Sequence, residues 1–201
     1  MLSRRGALAA LAATLVLPRA FAAVRPGLYN CEGCEAVAES NPASLAPLVH
    51  LAAADEPGER MQLTGVARLP GGVPAADVVI YAHHTDEGGL YSRGTAQTVW
   101  SHRHGLLRGW AKTDAQGRYA FDTIKPAPYP GETMPAHVHL FIGEPGHPPY
   151  YIDDVVFEGE FGVDDAYRAR AENRGGSGIV ILTRADGVWR AERNIALEPH
   201  A

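Results

Sequence analysis

Lysine is nearly absent from this 201-residue chain, which contains only Lys112 and Lys125. Acidic residues outnumber lysine and arginine by 23 to 18, so the formal net charge is −5. Nucleic acids and anionic membrane surfaces are bound by basic patches, and this composition argues against both as partners. The length and the 46% hydrophobic content are sufficient for one compact domain with an apolar core.

Long hydrophobic runs are also lacking. The apolar run Ala7–Leu17 is too short to span a bilayer as an ordinary transmembrane helix. It follows a basic start and precedes the small residues Ala22 and Ala23, which is the pattern of an export signal. We therefore expect residues 1–23 to be a cleaved signal peptide and the mature protein to be periplasmic or extracellular. Cleavage would remove three arginines and no acid, which shifts the net charge to −8.

Two adjacent arginines, Arg4 and Arg5, follow Ser3 in that signal. They favour the twin-arginine export route, which carries folded proteins. The match to this pattern is partial, because Ala7 stands where a larger apolar residue is usual. An ordinary secretory signal with two chance arginines is the alternative.

Cysteine is as scarce as lysine, and both cysteines lie in the motif CEGC, within an expected N-terminal extension at residues 24–60. In an exported protein, Cys31 and Cys34 are expected to form a short disulfide. A redox-active pair is typical of a βαβ pattern, which the surrounding sequence lacks. A metal site would need two further ligands nearby, and His50 is the only close candidate.

Strand-like segments separated by glycine and proline occupy the chain from residue 61 onward. This pattern predicts an all-β fold: a single antiparallel β-sandwich over residues 61–201 with long loops. One short late helix is predicted at Val163–Asn173, and the longest loop is Tyr91–Trp110. The predicted strands are Met61–Leu69, Asp77–His84, Arg118–Ile124, Ala136–Ile142, Tyr151–Phe157, Gly178–Arg184 and Val188–Leu197.

The segment PAPYPGETMPAHVHL contains the densest group of candidate functional residues. Alternate strand residues point to the same face, so His137 and His139 can direct both imidazoles at one metal ion. Pro128 and Pro130 fix the backbone around Tyr129. Each feature alone also suits a simpler role, such as solvent-facing histidines or a buried aromatic plug. A zinc or copper site formed by the histidines alone is a further alternative.

Three longer segments, DVVIYAHHTDEGGLYS, LRGWAKTDAQGRYAFDTIKPAPYP and PAHVHL, resemble the core of the intradiol ring-cleavage dioxygenases. That family includes protocatechuate 3,4-dioxygenase and catechol 1,2-dioxygenase, and the resemblance covers about Leu63–Glu160, closest to short exported single-domain members. It implies a non-haem Fe³⁺ ion as cofactor. The implied ligands are Tyr91, Tyr129, His137 and His139.

The resemblance also implies a reaction. A small aromatic diol would bind, O₂ would attack it, and the ring would open between the two hydroxyl carbons to a cis,cis-muconate-type diacid. Tyr129 would have the catalytic role of accepting a substrate proton. The alternative is an exported module that binds iron and a catechol without opening the ring.

Two departures from the family pattern matter, and the first of them, Met134, favours that alternative. Met134 stands where the family has an arginine that stabilises negative charge on the substrate ring, and Asp154 stands where a glutamine is expected. Three arginines of the long loop are candidates to replace the missing charge: Arg93, Arg103 and Arg108. Among the other histidines, His84 is expected to be structural, and His102 and His104 are expected to be exposed loop residues rather than a second metal site.

Overall fold

The computed structural model describes residues 23–39, 44–95 and 98–200. The predicted export signal lies outside these residues except for residue 23. The described part contains no helix with the length and apolarity needed to cross a bilayer. It is dominated by strands, which form two sheets and confirm the all-β class.

The first sheet has six strands: five lie in the order β1, β5, β2, β10, β9, and the sixth, β11, also pairs with β2. The second sheet has the order β4, β3, β6, β7, β8. The strands are β1 Leu48–His50, β2 Arg60–Arg68, β3 Val79–His84, β4 Arg108–Lys112, β5 Arg118–Ile124, β6 His137–Gly143, β7 Tyr150–Phe157, β8 Ile179–Val180, β9 Thr183–Ala185, β10 Val188–Glu192 and β11 Ile195–Ala196. The helices are a 3₁₀ helix at Cys34–Glu39, α1 at Val99–His104 and α2 at Asp165–Arg170.

The prediction of a purely antiparallel sandwich was wrong, because both sheets are mixed. β1 runs parallel to β5, β10 and β11 run parallel to β2, and β8 runs parallel to β7. The predicted last strand is divided at Arg193, whose buried guanidinium donates to the carbonyls of Arg174, Gly175, Gly176 and Asn194. A tight turn precedes it, since Asp186 and Gly187 have φ of 51° and 78° and join β9 to β10.

The core lies between the sheets and follows from residue alternation. In β2, alternate residues such as Met61 and Leu63 are buried against residues such as Leu140 of β6. The outer face of the second sheet is covered as well, because the 3₁₀ helix packs Val37 on Tyr81 and Phe141. This cover explains why β3 is buried along nearly its whole length.

The two helices α1 and α2 differ from the sequence-based expectation. The predicted loop Tyr91–Trp110 contains helix α1 and the start of β4. The late helix is confirmed but shorter than predicted, beginning after Asp164, whose side chain accepts from the backbone N–H of Tyr167. The cysteines form a disulfide, as expected.

Candidate metal centre and active site

Two histidines of β6 begin the site. His137 and His139 lie on one face of the strand, while Val138 and Leu140 between and beside them are buried in the core. The alternation that the sequence predicted is therefore confirmed. The core-facing residues hold the strand in place, so both imidazoles are fixed toward the same point.

Two tyrosines approach that point from loops that are tied together. Tyr91 follows a turn in which the Asp86 carboxylate accepts from the backbone N–H groups of Gly88 and Leu90. Thr85 donates its hydroxyl to the carbonyl of Ala127, 2.7 Å away, close to Tyr129. The two loops therefore bring their phenols together as a unit.

The four polar atoms form a closed ring. Tyr91 Oη lies 2.7 Å from Tyr129 Oη, and Tyr129 Oη lies 3.2 Å from His137 Nε2. His137 Nε2 lies 3.0 Å from His139 Nε2, which lies 3.1 Å from Tyr91 Oη. Ligand atoms adopt this spacing around one metal ion when the bonds to it are about 2 Å long.

The hydrogen bonds on the other ring nitrogens assign the imidazole protons. His137 Nδ1 lies 2.8 Å from the carbonyl oxygen of Pro135, which cannot donate, so Nδ1 carries the proton. His139 Nδ1 lies 2.9 Å from Oδ1 of Asp154 and donates to it. Burial lowers the pKa of His137, and His139 adds to this, which favours the neutral imidazole. Both Nε2 atoms therefore point lone pairs at each other.

The four donor atoms thus make four contacts with one another, but only the two phenolic protons of Tyr91 and Tyr129 are available to form hydrogen bonds in them. At least two contacts then place lone pair against lone pair in a half-buried site. A cation at the centre would accept all four lone pairs, so these residues fit a metal ion. Burial raises the pKa of both phenols, and a bound cation opposes that rise by stabilising the phenolates.

Asp154 reaches the site through a β-bulge. The pairing of β6 with β7 shifts register between Val138 and Leu140, so Asp153 and Asp154 both lie opposite His139. Burial alone would raise the pKa of the Asp154 carboxyl, but His139 outweighs it and holds the pKa below its usual value. The ligand atoms of His137, His139 and Asp154 all lie within 4.8 Å of one another. Because Asp154 contacts Nδ1 of His139, it orients that ring and fixes its tautomer.

An open cavity of about 380 Å³ lies beside the ring of donors. One wall is aromatic: His83 stacks on His104 with the ring centres 3.8 Å apart, and His83 also lies 4.5 Å from His139. The lining residues are Glu32, His83, Tyr91, Trp100, Arg103, His104, Tyr129, His139, Leu140, Phe141, Tyr151 and Asp154. The volume is at the lower end of the range for small-molecule sites.

The histidines outside the ring have separate roles. The expectation that His84 is structural is supported, because its two nitrogens contact the Thr85 carbonyl and the Thr123 hydroxyl, each at 2.7 Å. The expectation for His104 was wrong: it lies in α1, is buried, and contacts Tyr81 Oη at 2.8 Å. Residues two apart on a helix point in different directions, so His102 is exposed and the two do not converge.

Comparisons with known proteins place the chain in a family. The model of the family described as Dioxygenase matches residues 31–174. Chlorocatechol 1,2-dioxygenase of Rhodococcus opacus is 33% identical over 124 residues, which are 53% of this chain and 47% of that protein. The chain belongs to the intradiol ring-cleavage dioxygenase family. It spans about half the length of the curated family members that it matches.

Solved structures of the family share the fold. The dioxygenase domain of a dioxygenase and carbohydrate-binding fusion from Streptomyces sp. SirexAA-E has a TM-score of 0.60 at 22% identity, covering 78% of this chain and 91% of that one. Catechol 1,2-dioxygenase from Acinetobacter sp. ADP1 has a TM-score of 0.60 at 20% identity, covering 78% and 58%. Intradiol dioxygenases depend on non-haem iron, so the ring of donors is the candidate iron centre of this family member.

Proposed function

We propose that this protein cleaves a catechol-type aromatic diol between its two hydroxyl carbons, using O₂ and Fe³⁺ and forming a cis,cis-muconate-type diacid. The observation that carries the proposal is the closed ring of four donor atoms from Tyr91, Tyr129, His137 and His139. Its position beside an open, aromatic-lined cavity supports a small planar substrate.

The donor set favours a hard trivalent ion. Two phenolates supply two negative charges, which leaves a single charge for a hydroxide or the substrate to balance in a half-buried site. Fe³⁺ bound there would act as a Lewis acid and template for the substrate oxygens. A zinc or copper site formed by the histidines alone would not use either phenol as a ligand, although both phenol oxygens lie within 3.2 Å of an imidazole nitrogen.

Tyr129 is the residue that we propose to accept a proton from the substrate. Its hydroxyl belongs to a loop rather than a strand, and it lines the cavity that the substrate would enter. Burial raises the pKa of this phenol, so its oxygen holds a proton firmly once it has received one. On the opposite side of the four donor atoms, the hydrogen bond from His139 to the charged Asp154 carboxylate keeps the His139 imidazole in position.

The test is the visible spectrum of the iron-loaded protein, followed by oxygen uptake. Phenolate-to-iron charge transfer should make the protein red, and catechol should shift the band. Oxygen uptake with formation of a ring-opened diacid supports the enzyme. A colourless, iron-free protein after iron-replete expression overturns the proposal.

The same experiment addresses the second candidate function, a binding module without turnover. The observation that favours it is Met134 in place of the family's arginine; this side chain is 46% exposed and does not line the cavity. A band that shifts with catechol while no oxygen is consumed would establish binding alone.

A further inference from the structure

The charged residues around the cavity carry information about the substrate. Among the described lining residues, the charged side chains are Glu32, Arg103 and Asp154. Two of these are anionic and one is cationic. Within the described part of the chain, the one lysine or arginine that lines the cavity is therefore Arg103.

Arg103 is already engaged by the protein. Its guanidinium Nη2 lies 2.6 Å from Glu32 Oε1, and its guanidinium carbon lies 5.1 Å from the centre of the Trp100 ring. Glu32 is itself restrained, because it lies inside the short loop closed by the Cys31–Cys34 disulfide. This restraint fixes the backbone of Glu32 beside the cavity, and its side chain, 76% exposed, reaches the arginine at the cavity mouth.

The other arginines that the sequence suggested are not available to a substrate. Arg108 donates to Glu39 at 2.8 Å and does not line the cavity. Arg93 is exposed and is likewise not among the lining residues. The described wall therefore offers no unpaired cation to an anionic group on the ring.

From this arrangement we infer that the site selects aromatic diols whose ring substituents are neutral or cationic, and that Glu32 disfavours carboxylate-bearing ones. The inference rests on the proposed function and adds the substrate class. A carboxylate entering the cavity meets Glu32 and Asp154 and finds Arg103 neutralised, whereas an ammonium group meets a net negative rim. Glu32 acts as a specificity-determining residue through its charge.

The experiment measures binding of three probes to the iron-loaded protein without oxygen: catechol, 3,4-dihydroxybenzoate and 4-(2-aminoethyl)catechol. The shift of the visible band gives a Kd for each. In the unaltered protein, 3,4-dihydroxybenzoate should bind more weakly than catechol. Glu32→Gln frees Arg103 and should improve the ratio of the two Kd values by about fivefold, the effect of one exposed charge interaction.

Three controls make the result specific. Glu35→Gln changes the net charge equally, three residues along, at an exposed side chain that does not line the cavity, and should leave the ratio unchanged. Adding Arg103→Gln to Glu32→Gln should reverse the gain. High salt should also reduce the discrimination, because exposed charges are screened.

The outcomes separate this inference from the proposed function. A visible band that shifts with catechol, together with a Kd ratio that Glu32→Gln leaves unchanged, overturns the role of Glu32 and leaves the iron site standing. Tighter binding of 3,4-dihydroxybenzoate than of catechol by the unaltered protein overturns the substrate class. A protein that shows no band with any probe removes the proposed function, and the inference with it.

Discussion

Replacing Asp154 should weaken iron binding although its carboxylate is not one of the four ring atoms. Oδ1 of Asp154 accepts from Nδ1 of His139 at 2.9 Å, so that Nε2 keeps its lone pair directed into the ring. Asparagine retains the shape of the side chain but loses the charge, and its amide nitrogen can instead donate to Nδ1. That exchange would move the ring proton to Nε2 and block the metal-binding position.

The magnitude follows from the strength of such contacts. Losing the partner of a metal-bound histidine typically costs about 10–100-fold in metal affinity, which corresponds to about 1.4–2.8 kcal/mol. Asp154→Asn can still turn its amide oxygen toward Nδ1 and accept the proton there, in competition with the blocking orientation, so it should fall near the tenfold end. Asp154→Ala leaves Nδ1 without its acceptor and should fall near the 100-fold end.

The assay is competition for iron with a chelator, followed through the visible band of the iron-loaded protein. Asp153→Asn is the matched control, because Asp153 lies in the same bulge but accepts from the backbone N–H groups of Asn173 and Arg174. The control should lower thermal stability while leaving iron affinity unchanged. Equal iron affinities in the Asp154 and Asp153 variants would refute the assigned role of Asp154.

Three further predictions concern the ligands, the loops and acid stability. His139→Ala should abolish the visible band and the bound iron measured by metal analysis, whereas His102→Ala should change neither. Gly89→Ala should also lower the iron content. The φ angle at Gly89 is +78°, and a Cβ there would lie 2.1 Å from the Pro128 carbonyl oxygen, so the clash would push the two tyrosine loops apart. A normal iron content in this variant would contradict this account. Burial lowers the pKa of His84 from 6.5 to about 4. Below pH 6.5 the unfolded chain therefore binds a proton at this histidine that the folded state does not. The free energy of unfolding is consequently lost as the pH falls from 6.5 to 4. In urea unfolding at pH 7 and pH 4, His84→Gln should reduce that loss by about 3 kcal/mol, and an unchanged loss would show that His84 is not responsible.

Much of the candidate site could be predicted from local patterns. The spacing of His137 and His139 fixes their common face once a strand is recognised, and the prolines around Tyr129 mark a rigid loop. The resemblance to a family supplied Tyr91, whose place beside the other three depends on loops that local spacing does not describe. In the structure, neighbouring donor atoms of these four residues lie 2.7–3.2 Å apart.

What the sequence did not predict depends on long-range pairing. The bulge that turns Asp154 toward His139 arises from the register between β6 and β7. The burial of His104 follows from a helix inside a segment that had been interpreted as a loop. The parallel pairing of β10 with β2 was not predicted, because the alternation of apolar and polar residues in each strand does not show which distant strand it pairs with.

That last pairing has a consequence for how the protein is made. β2 lies between β5 and the C-terminal strands, with Met61 opposite Trp189. One side of β2 therefore stays unpaired on the ribosome until β10 and β11 have emerged. Contacts so distant along the chain slow folding, so this sheet should be completed only after β10 has been synthesised, and a nascent chain stalled before residue 188 should be readily digested by protease.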